Sequence, residues 1–328
     1  MPLITPQNDS VSVVIPAWNV EAYIARAIDS VLAQTHPADE ILVVDDGSTD
    51  NTAEIVRRYG TRVRYLRQPQ TGAAEARNRG IAEAASRWIA FLDADDQWLP
   101  DKLALQLGGL ARNPDIVWSY TNYFVRPADS DSQTLSHTSQ QALDLLAGKV
   151  YFDDYLAAFA AGTPVSMTTM IVRRDILLTV GSFQPGRKWA QDGDLGLRIA
   201  YPYPKVGYIP QPLSIYQAGR SDSITLRNRS NILFRCEFLL RHLDLSAQAG
   251  RRDRFVSCAK HLLSRWINEI GKDPTANLSP FLCQVPDLLT PNQRGQLRLR
   301  KWLPRLGPWI LAIYFKLKNG LRSRKAGS

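Results

Sequence analysis

Four short apolar runs alternate with amphipathic segments along the first hundred residues, and this alternation constrains the fold more than any other feature of the chain. The runs are rich in β-branched residues and apolar on both faces, which is typical of strands buried in a parallel sheet. The segments between them include apolar residues at helical spacing. This order predicts an α/β domain with a doubly wound, mostly parallel sheet. The predicted strands are residues 11–16, 41–45, 63–66 and 88–92. The predicted helices are residues 21–34, a helix with Ser48 or Asp50 as its cap that runs through residues 55 and 56 to residue 59, and residues 72–85.

Polar clusters follow the first, second and fourth of these strands, and the last cluster contains the three carboxylates of Asp93, Asp95 and Asp96. Ligands of doubly wound sheets bind beyond the carboxyl ends of the strands, so the three clusters predict one shared crevice. Carboxylates this close repel one another unless a cation lies among them. A divalent cation that holds a diphosphate would account for the cluster. A solvated acidic turn is the alternative for an isolated Asp-x-Asp pair.

Two common phosphate-binding motifs are absent from the sequence. No G-x-G-x-x-G follows the first strand, and no G-x-x-x-x-G-K-[ST] occurs anywhere in the chain. A diphosphate would therefore be held by a metal ion and by scattered donors, which agrees with the aspartate cluster.

Charge divides the chain into two predicted parts. Residues 1–226 carry 20 Lys and Arg against 25 Asp and Glu, whereas residues 227–328 carry 20 against 6. Within the second part, residues 228–270 show apolar stripes at helical spacing. We therefore predict two parts with different functions, an α/β domain over residues 1–226 and a basic helical region over residues 227–328.

The end of the basic region has an apolar stretch, residues 308–315, between two groups of Lys and Arg. A bilayer crossing takes about 20 apolar residues, so this stretch is too short to span one. Two interpretations are open: a helix that lies on an anionic membrane surface, and a basic helix that covers the core. Nucleic acid is not an expected partner, because the basic charge comes without a recognisable binding motif.

The cysteines and the N-terminal residues indicate the cellular compartment of the protein. Cys236, Cys258 and Cys283 are odd in number and widely spaced, which predicts buried, reduced thiols. The first ten residues do not resemble a signal peptide. A cytoplasmic location is therefore expected, with peripheral contact to the inner face of the cell membrane if the basic region binds lipid.

Several motifs, in the same order along the chain, resemble family 2 glycosyltransferases of the GT-A fold. The resemblance covers about residues 11–225 and implies a Rossmann-like nucleotide-binding half followed by an acceptor half. It also implies transfer of a sugar from a nucleotide diphosphate donor to an acceptor hydroxyl, with inversion at the anomeric carbon. The motifs are Val-Ser-Val-Val-Ile-Pro-Ala-Trp-Asn (11–19), Ser-Val-Leu-Ala-Gln-Thr (30–35), Val-Val-Asp-Asp-Gly-Ser-Thr-Asp (43–50), Gly-Ala-Ala-Glu-Ala-Arg-Asn-Arg-Gly (72–80), Phe-Leu-Asp-Ala-Asp-Asp (91–96), Met-Ile-Val-Arg-Arg-Asp (170–175) and Gln-Asp-Gly-Asp-Leu-Gly-Leu-Arg-Ile-Ala (191–200).

The resemblance also implies a donor site. Asp46 would accept a hydrogen bond from the donor base, usually uracil, and Asp95 and Asp96 would hold Mg²⁺ or Mn²⁺. Which of the three clustered aspartates ligates the ion stays open. Core packing is the alternative role for Trp18, and an exposed helical position is the alternative for Arg77. The implied nucleotide-binding residues are Pro16, Ala17, Trp18, Asn19, Glu21, Asp46, Gly47, Ser48, Arg77, Asp93 and Asp95.

On the acceptor side, the resemblance implies that Asp192 is the general base, and a plain helix N-cap is its alternative role. The chain departs from the family pattern nearby. Gln191 replaces a usual Glu, and Gly196 replaces a common Trp, which would open the acceptor pocket. Where the family often has Tyr-Arg and then His, residues 216–220 read Tyr-Gln-Ala-Gly-Arg. A histidine contact to the leaving phosphate is therefore in doubt.

Processive members of the family span the membrane and carry Gln-x-x-Arg-Trp, whereas residues 262–266 here read Leu-Leu-Ser-Arg-Trp. Transfer of a single sugar, to a polysaccharide or lipid-linked saccharide precursor, is therefore the expected activity. A sugar-nucleotide pyrophosphorylase is a second hypothesis, although it would normally show a Gly-rich basic loop after the first strand. The third is a non-catalytic protein that binds a nucleotide or a membrane surface.

Overall fold

The computed structural model describes residues 9–128, 132–136, 138–187, 189–219, 231–273 and 276–302. Internal contacts divide the chain into two units, Met1–Arg227 and Asn228–Ser328. The first unit is an α/β domain, and the described part of the second unit is helical.

The first unit is built on one mixed sheet in which the strands run in the order β3-β2-β1-β4-β9-β6-β10-β5, while β7 pairs with β6 and β8 with β10. The strands are β1 (Val11–Ala17), β2 (Glu40–Asp45), β3 (Arg64–Arg67), β4 (Trp88–Phe91), β5 (Gln97–Trp98), β6 (Trp118–Pro127), β7 (Thr134–Leu135), β8 (Tyr151–Phe152), β9 (Ile171–Arg173) and β10 (Val206–Ala218). The helices are α1 (Ile24–Leu32), α2 (Thr52–Arg57), α3 (Ala73–Glu83), α4 (Lys102–Arg112), α5 (Gln140–Leu146), α6 (Tyr155–Ala160), α7 (Arg174–Thr179) and α8 (Gln191–Ala200).

The first half of this sheet is parallel, since β1 pairs with β2 and β4, and β2 pairs with β3. Every residue of β1 is buried, as expected for a strand covered on both faces. Helix α3 packs closely on β1 at Gly80, where an added Cβ would lie 2.3 Å from a methyl group of Val14. The strands and helices predicted for this half are confirmed, with boundaries shifted by a few residues at most.

The second half of the sheet brings further strands to the end of β4. Strand β9 lies antiparallel between β4 and β6, and β10 runs parallel to β6 and antiparallel to β5. As a result, the middle of β10 lies beside the residues that follow β4.

The second unit contains α9 (Ile232–Gln248), α10 (Arg252–Ile270), α11 (Ser279–Gln284) and α12 (Pro291–Trp302). The predicted helical periodicity of residues 228–270 is confirmed where the structure describes it. Cys236 and Cys258 are buried, but Cys283 is exposed, so the prediction of a buried thiol is wrong at that residue. Among the helices that the structure describes, none has both the length and the apolar character needed to cross a membrane. The apolar stretch 308–315 lies outside the described residues.

Candidate active site

The loop after β2 holds the Asp46 carboxylate in a network of hydrogen bonds. Asp46 is buried, and its Oδ1 accepts bonds from Gln68 Nε2 (2.8 Å), Thr71 N (2.9 Å) and Thr71 Oγ1 (3.2 Å). Its Oδ2 accepts a bond from Gly72 N (2.7 Å). A carboxylate oxygen has two lone pairs, so Oδ2 retains one acceptor site for another donor. The following residue, Gly47, has φ of +79°, a left-handed conformation that favours glycine.

Two predicted nucleotide-site residues join the loop after β1 to the loop after β2. Asn19 donates from its backbone N to Ser48 Oγ (3.0 Å), and Glu21 Oε2 accepts a bond from the backbone N of Asn51 (2.9 Å). The backbone N of Glu21 donates in turn to Asp50 Oδ2 (3.0 Å). The side chain of Ser48 and that of Glu21 therefore help to fix the shape of this edge of the sheet.

The predicted nucleotide-site residues at the end of β1 differ in exposure. Pro16 and Ala17 are buried within the strand, whereas Trp18 is 40% exposed. The core-packing alternative for Trp18 is therefore wrong. An exposed indole at this edge offers a flat apolar surface on which a base or sugar ring can stack.

Asp96, after β4, is buried with an unsatisfied oxygen. It is 1% exposed, and its Oδ1 accepts a bond from the backbone N of Gln217 in β10 (2.8 Å). Its Oδ2 is buried without a hydrogen bond of ordinary geometry. Burial raises the pKa of Asp96 well above its ordinary value, and the charges of Asp95 and Asp93 raise it further, while the backbone N of Gln217 and the Thr168 hydroxyl oppose the rise. A carboxylate oxygen in this state lacks a positive partner.

Arg77 connects the aspartate cluster to the acceptor half. This side chain is buried, so the exposed-helix alternative is wrong. Its two terminal nitrogens donate to Asp93 Oδ1 (2.5 Å) and to Gln191 Oε1 (2.5 Å). The guanidinium also lies over the ring of Phe183, with its Cζ 5.4 Å from the ring centroid. Asp93 therefore has a cationic partner within the protein, which distinguishes it from Asp96.

Asp192 lies in the first turn of α8, directly after Gln191. The N-cap of α8 is Ala190, so the N-cap alternative for Asp192 is wrong. Its Oδ1 accepts a bond from the backbone N of Gly193 (2.8 Å). Burial raises the pKa of Asp192 above its ordinary value and the charge of Asp93 raises it too, while Arg77 opposes the shift. A carboxylate with a raised pKa is a stronger proton acceptor once it is ionised.

Tyr216 in β10 joins this group of carboxylates, and the sequence did not single it out as a site residue. Its hydroxyl group is partly buried, and burial raises its pKa. The charges of Asp96, Asp93, Asp95 and Asp192 raise the pKa further, so each of these carboxylates acts electrostatically on the phenol. The available signal was its place in residues 216–220, where the family often has Tyr-Arg, and the next residue, Gln217, donates its backbone N to Asp96.

The carboxylates after β4 suit a metal site with one or two protein ligands better than a site in which protein side chains supply every ligand. Among the residues that the structure describes, no group of three or more His, Cys, Asp and Glu side chains is arranged to hold a metal ion. Mg²⁺ bound with a diphosphate needs only one or two carboxylates, because phosphate oxygens and waters complete its shell. The unsatisfied Oδ2 of Asp96, beside Asp95, matches that requirement.

Gly196 does not open a pocket in α8. An added Cβ at this residue would lie 3.0 Å from Val165 Cγ1 and 3.2 Å from the Tyr155 hydroxyl oxygen, and both of these side chains are buried. The expectation that Gly196 widens the acceptor pocket is therefore wrong. Its missing side-chain volume is filled by the residues packed against the helix.

The sequence model of glycosyl transferase family 2 matches residues 12–178, which is just over half of the chain. The chain belongs to this family. The match includes every predicted nucleotide-binding and metal-binding residue of this family 2 chain, whereas Asp192 lies beyond it. The roles of the individual residues stay predictions.

Curated relatives match the first part of this family 2 chain. An uncharacterized glycosyltransferase of Rickettsia felis is 44% identical over 118 residues, which are 35% of this chain and 19% of that protein. The Escherichia coli enzyme WfgD, a UDP-Glc:alpha-D-GlcNAc-diphosphoundecaprenol beta-1,3-glucosyltransferase, is 42% identical over 115 residues. That match covers 34% of this chain and 45% of WfgD. The matched stretch thus spans less than half the length of either relative.

The fold of this family 2 chain is similar to that of Staphylococcus aureus TarS. Residues 1–349 of TarS, in a crystal structure with UDP-GlcNAc, give a TM-score of 0.63 at 16% identity. The similarity covers 89% of this chain and 79% of that one. The predicted fold class, a GT-A type α/β domain followed by a helical region, is confirmed.

Proposed function

We propose that this chain is an inverting glycosyltransferase that moves one sugar from a nucleotide diphosphate sugar to an acceptor hydroxyl. One observation carries the proposal: the donor-side aspartates and the candidate base lie at the same site. Arg77 bridges Asp93 and the residue before Asp192, and the charges of all four carboxylates act on the Tyr216 hydroxyl. Such a site can hold a diphosphate on one side and activate a hydroxyl on the other.

UDP is the proposed nucleotide. Asp46 Oδ2 retains one acceptor site, which suits the single N–H on the uracil ring. Guanine would present two kinds of N–H donor on the corresponding edge and would leave one of them unpaired. The exposed Trp18 supplies a stacking surface near this point. The printed names of WfgD and of the TarS complex, which refer to UDP-Glc and UDP-GlcNAc, support the same choice.

The proposed cofactor is Mg²⁺ or Mn²⁺, held by Asp96 with Asp95. The ion would neutralise the charge that develops on the departing diphosphate. Asp93 would act differently from its neighbours, because its carboxylate pairs with Arg77.

In the proposed reaction, Asp192 accepts the proton of the acceptor hydroxyl. The oxygen of that hydroxyl forms a bond to the anomeric carbon as the bond from that carbon to the phosphate oxygen breaks. The electron pair of the broken bond leaves with the nucleoside diphosphate, and the anomeric configuration inverts. The raised pKa of Asp192 strengthens it as a base.

The proposed acceptor is a saccharide, or a lipid-linked saccharide precursor of a polysaccharide. The name of WfgD, which specifies a diphosphoundecaprenol-linked sugar, supports a lipid-linked acceptor. Residues 227–328 carry 20 Lys and Arg against 6 Asp and Glu, so contact with an anionic membrane surface would suit that acceptor. A cytoplasmic protein with this peripheral contact is the proposed arrangement.

Calorimetric titration of the protein with UDP, in Mn²⁺ and in EDTA, tests the donor site. We expect binding that requires the ion in the wild type and is lost or strongly weakened in Asp96→Asn, which keeps the side-chain volume and removes the charge. Asp115→Asn is the matched control, because Asp115 is an exposed aspartate paired with Lys205 on the surface.

A second assay measures UDP release from UDP-sugars in the presence of lipid-linked and free saccharide acceptors. Metal-dependent UDP binding with acceptor-dependent release supports the proposal. Binding without any turnover would contradict it and favour a nucleotide-binding protein. Failure to bind UDP, combined with binding of GDP or dTDP, would overturn the choice of base.

A further inference from the structure

Helix α3 is tied to the segment that precedes Asp192 by three side chains. Glu75 Oε1 accepts a bond from the backbone N of Gly186 (2.7 Å). Asn78 exchanges two bonds of 2.8 Å with the backbone of Phe183. Arg77, between these two residues in the chain, donates to Gln191. The segment is thereby anchored to α3, which packs on β1, in the middle of the nucleotide-binding half.

Arg77 is held on several sides at once. Its contact with Asp93 fixes one terminal nitrogen at the end of β4, and its contact with Gln191 fixes the other at the start of α8. The guanidinium lies over Phe183, whose ring packs edge-on against Phe91 of β4 with centroids 5.3 Å apart. A planar guanidinium held in this way fixes the position of one partner relative to the other.

Gln191 is likewise held at both ends of its amide. Its Oε1 accepts the bond from Arg77, and its Nε2 donates to the backbone O of Arg187 (2.7 Å). Gln191 is also the first residue of α8 and directly precedes Asp192, after Ala190 with φ of +52°. The side chain of Gln191 therefore fixes where α8 begins, and with it the backbone that carries Asp192.

We propose that Gln191 is a positioning residue that sets the location of Asp192 relative to the donor aspartates through Arg77. This inference rests on the proposed function, because it assigns Asp192 the role of base. The neutral amide takes the second nitrogen of Arg77 without competing with Asp93 for its charge. Donor binding would depend little on this contact, whereas the proton transfer would depend on it directly.

Three variants test the tether, by which we mean the contacts of the Gln191 side chain with Arg77 and Arg187. Gln191→Leu removes the acceptor and donor while keeping a similar volume, and Gln191→Glu keeps an acceptor for Arg77 at the same place. Gln140→Leu is the matched control, since Gln140 is an exposed glutamine whose side chain bonds to Asp144 on α5. For each protein, kcat, KM for the UDP-sugar, UDP affinity and thermal unfolding are measured.

Misplacement of a reacting group by about 1 Å can cost a hundredfold in rate, so we expect Gln191→Leu to lower kcat at least about tenfold. UDP affinity should change by less than about twofold. Gln191→Glu should recover part of the lost kcat, because it restores the acceptor for Arg77 but not the donor to the backbone O of Arg187. Unchanged kcat in Gln191→Leu would overturn the inference. A loss of UDP affinity as large as the loss of kcat would also overturn it, because the contact would then serve donor binding.

Hydrogen–deuterium exchange of the peptide covering residues 189–197 measures how firmly the Gln191 contacts hold the start of α8, and it requires no turnover. We expect faster exchange in Gln191→Leu than in the wild type and in Gln191→Glu. Equal exchange in all three proteins would contradict the tether itself. A wild type that shows no transfer, with faster exchange in Gln191→Leu, would instead refute the proposed function and leave the tether supported.

Discussion

The carboxylates that follow β2 and those that follow β4 lie at the same edge of one sheet, yet their surroundings differ. Both oxygens of Asp46 accept hydrogen bonds from residues 68–72. Burial opposes ionisation of Asp50, but hydrogen bonds from Thr52 and Glu21 outweigh it and lower its pKa. After β4, Asp96 keeps a buried oxygen without a partner, and burial raises its pKa.

This difference separates carboxylates that the protein's own donors hold in place from a carboxylate with an oxygen that lacks such donors. A carboxylate that accepts hydrogen bonds from backbone N–H groups is stabilised within the protein. A buried carboxylate among other carboxylates is destabilising unless a cation lies beside it. Sequence alone gives both groups the same appearance, Asp-Asp after a strand, so only their contacts distinguish them.

The largest expected effect is at Asp192. Asn at this position keeps the shape of the side chain but cannot accept a proton. General base catalysis contributes about 10²- to 10⁴-fold, so we expect kcat to fall about a thousandfold in Asp192→Asn. UDP affinity should stay within about twofold, because the change lies on the acceptor side. Steady-state kinetics and calorimetry of the purified variant measure the two quantities.

Retention of activity in Asp192→Asn would show that another group takes the proton. The pH dependence of the wild type offers an independent check. Since burial raises the pKa of Asp192, the acidic limb of the kcat/KM profile should lie above the ordinary aspartate value of 3.8. Activity should fall as the pH decreases through that limb, because protonated Asp192 cannot act as a base.

Asp46→Asn is expected to have the next largest effect, and it acts on stability. An amide group would point an N–H at donors such as Thr71 N or Gly72 N, which would leave buried groups unpaired. Loss of this kind costs about 2 kcal/mol of unfolding free energy. Urea denaturation of the variant beside Asp115→Asn measures it. A stability equal to that of the wild type would remove the loop-shaping role assigned to Asp46.

Much of the nucleotide-binding half could be predicted because its strands are apolar on both faces and alternate with helices. The second half gave weaker signals. Strands β5, β7 and β8 have two residues each and therefore show no periodicity, and β10 contains Pro210 and Pro212, which obscure a strand in sequence. Its pairing with β6 shifts register next to Pro212.

The aspartates of the site could be found from sequence, but their different environments could not. Arg77 and Gln191 are separated by 114 residues, and no local pattern links them. The unsatisfied oxygen of Asp96 depends on the approach of β10, which the sequence did not indicate. Long-range placement of this kind decides which carboxylate pairs with a cation and which stays without one.

A smaller kinetic effect is expected at Tyr216. The charges of four carboxylates act on its hydroxyl, and we expect this hydroxyl to donate a hydrogen bond to an oxygen of the bound diphosphate. Tyr216→Phe removes this donor, and one such hydrogen bond corresponds to about 1.4 kcal/mol or tenfold in kcat. Single-turnover rates with saturating UDP-sugar measure the loss. Tyr123→Phe is the control, because its ring packs against Tyr216 with centroids 6.1 Å apart. An equal or larger loss in Tyr123→Phe would mean that the effect is not specific to the hydroxyl of Tyr216.

The smallest expected effect is a gain of stability in Asp96→Asn, in contrast to the loss expected in Asp46→Asn. It tests the difference between these two carboxylates most directly. Asn at residue 96 can keep Oδ1 as the acceptor for Gln217 N, and its new amide N–H can donate to the buried hydroxyl of Thr168. The variant therefore removes a buried charge and satisfies a buried oxygen. We expect Asp96→Asn to raise the unfolding free energy in EDTA by about 1 kcal/mol at pH 7.

With Mn²⁺ and UDP present, the order of stability should reverse. Ligand at about 100 times its dissociation constant stabilises a binding protein by about 2.7 kcal/mol, and only the wild type would gain this increment. Thermal unfolding of both proteins, with and without the ligands, measures the reversal. A variant less stable than the wild type in EDTA would mean that Asp96 shapes its loop as Asp46 does. Equal stabilisation of both proteins by Mn²⁺ and UDP would place the ion elsewhere. The reversal requires that the Asp96 carboxylate destabilise the empty site and stabilise the occupied one.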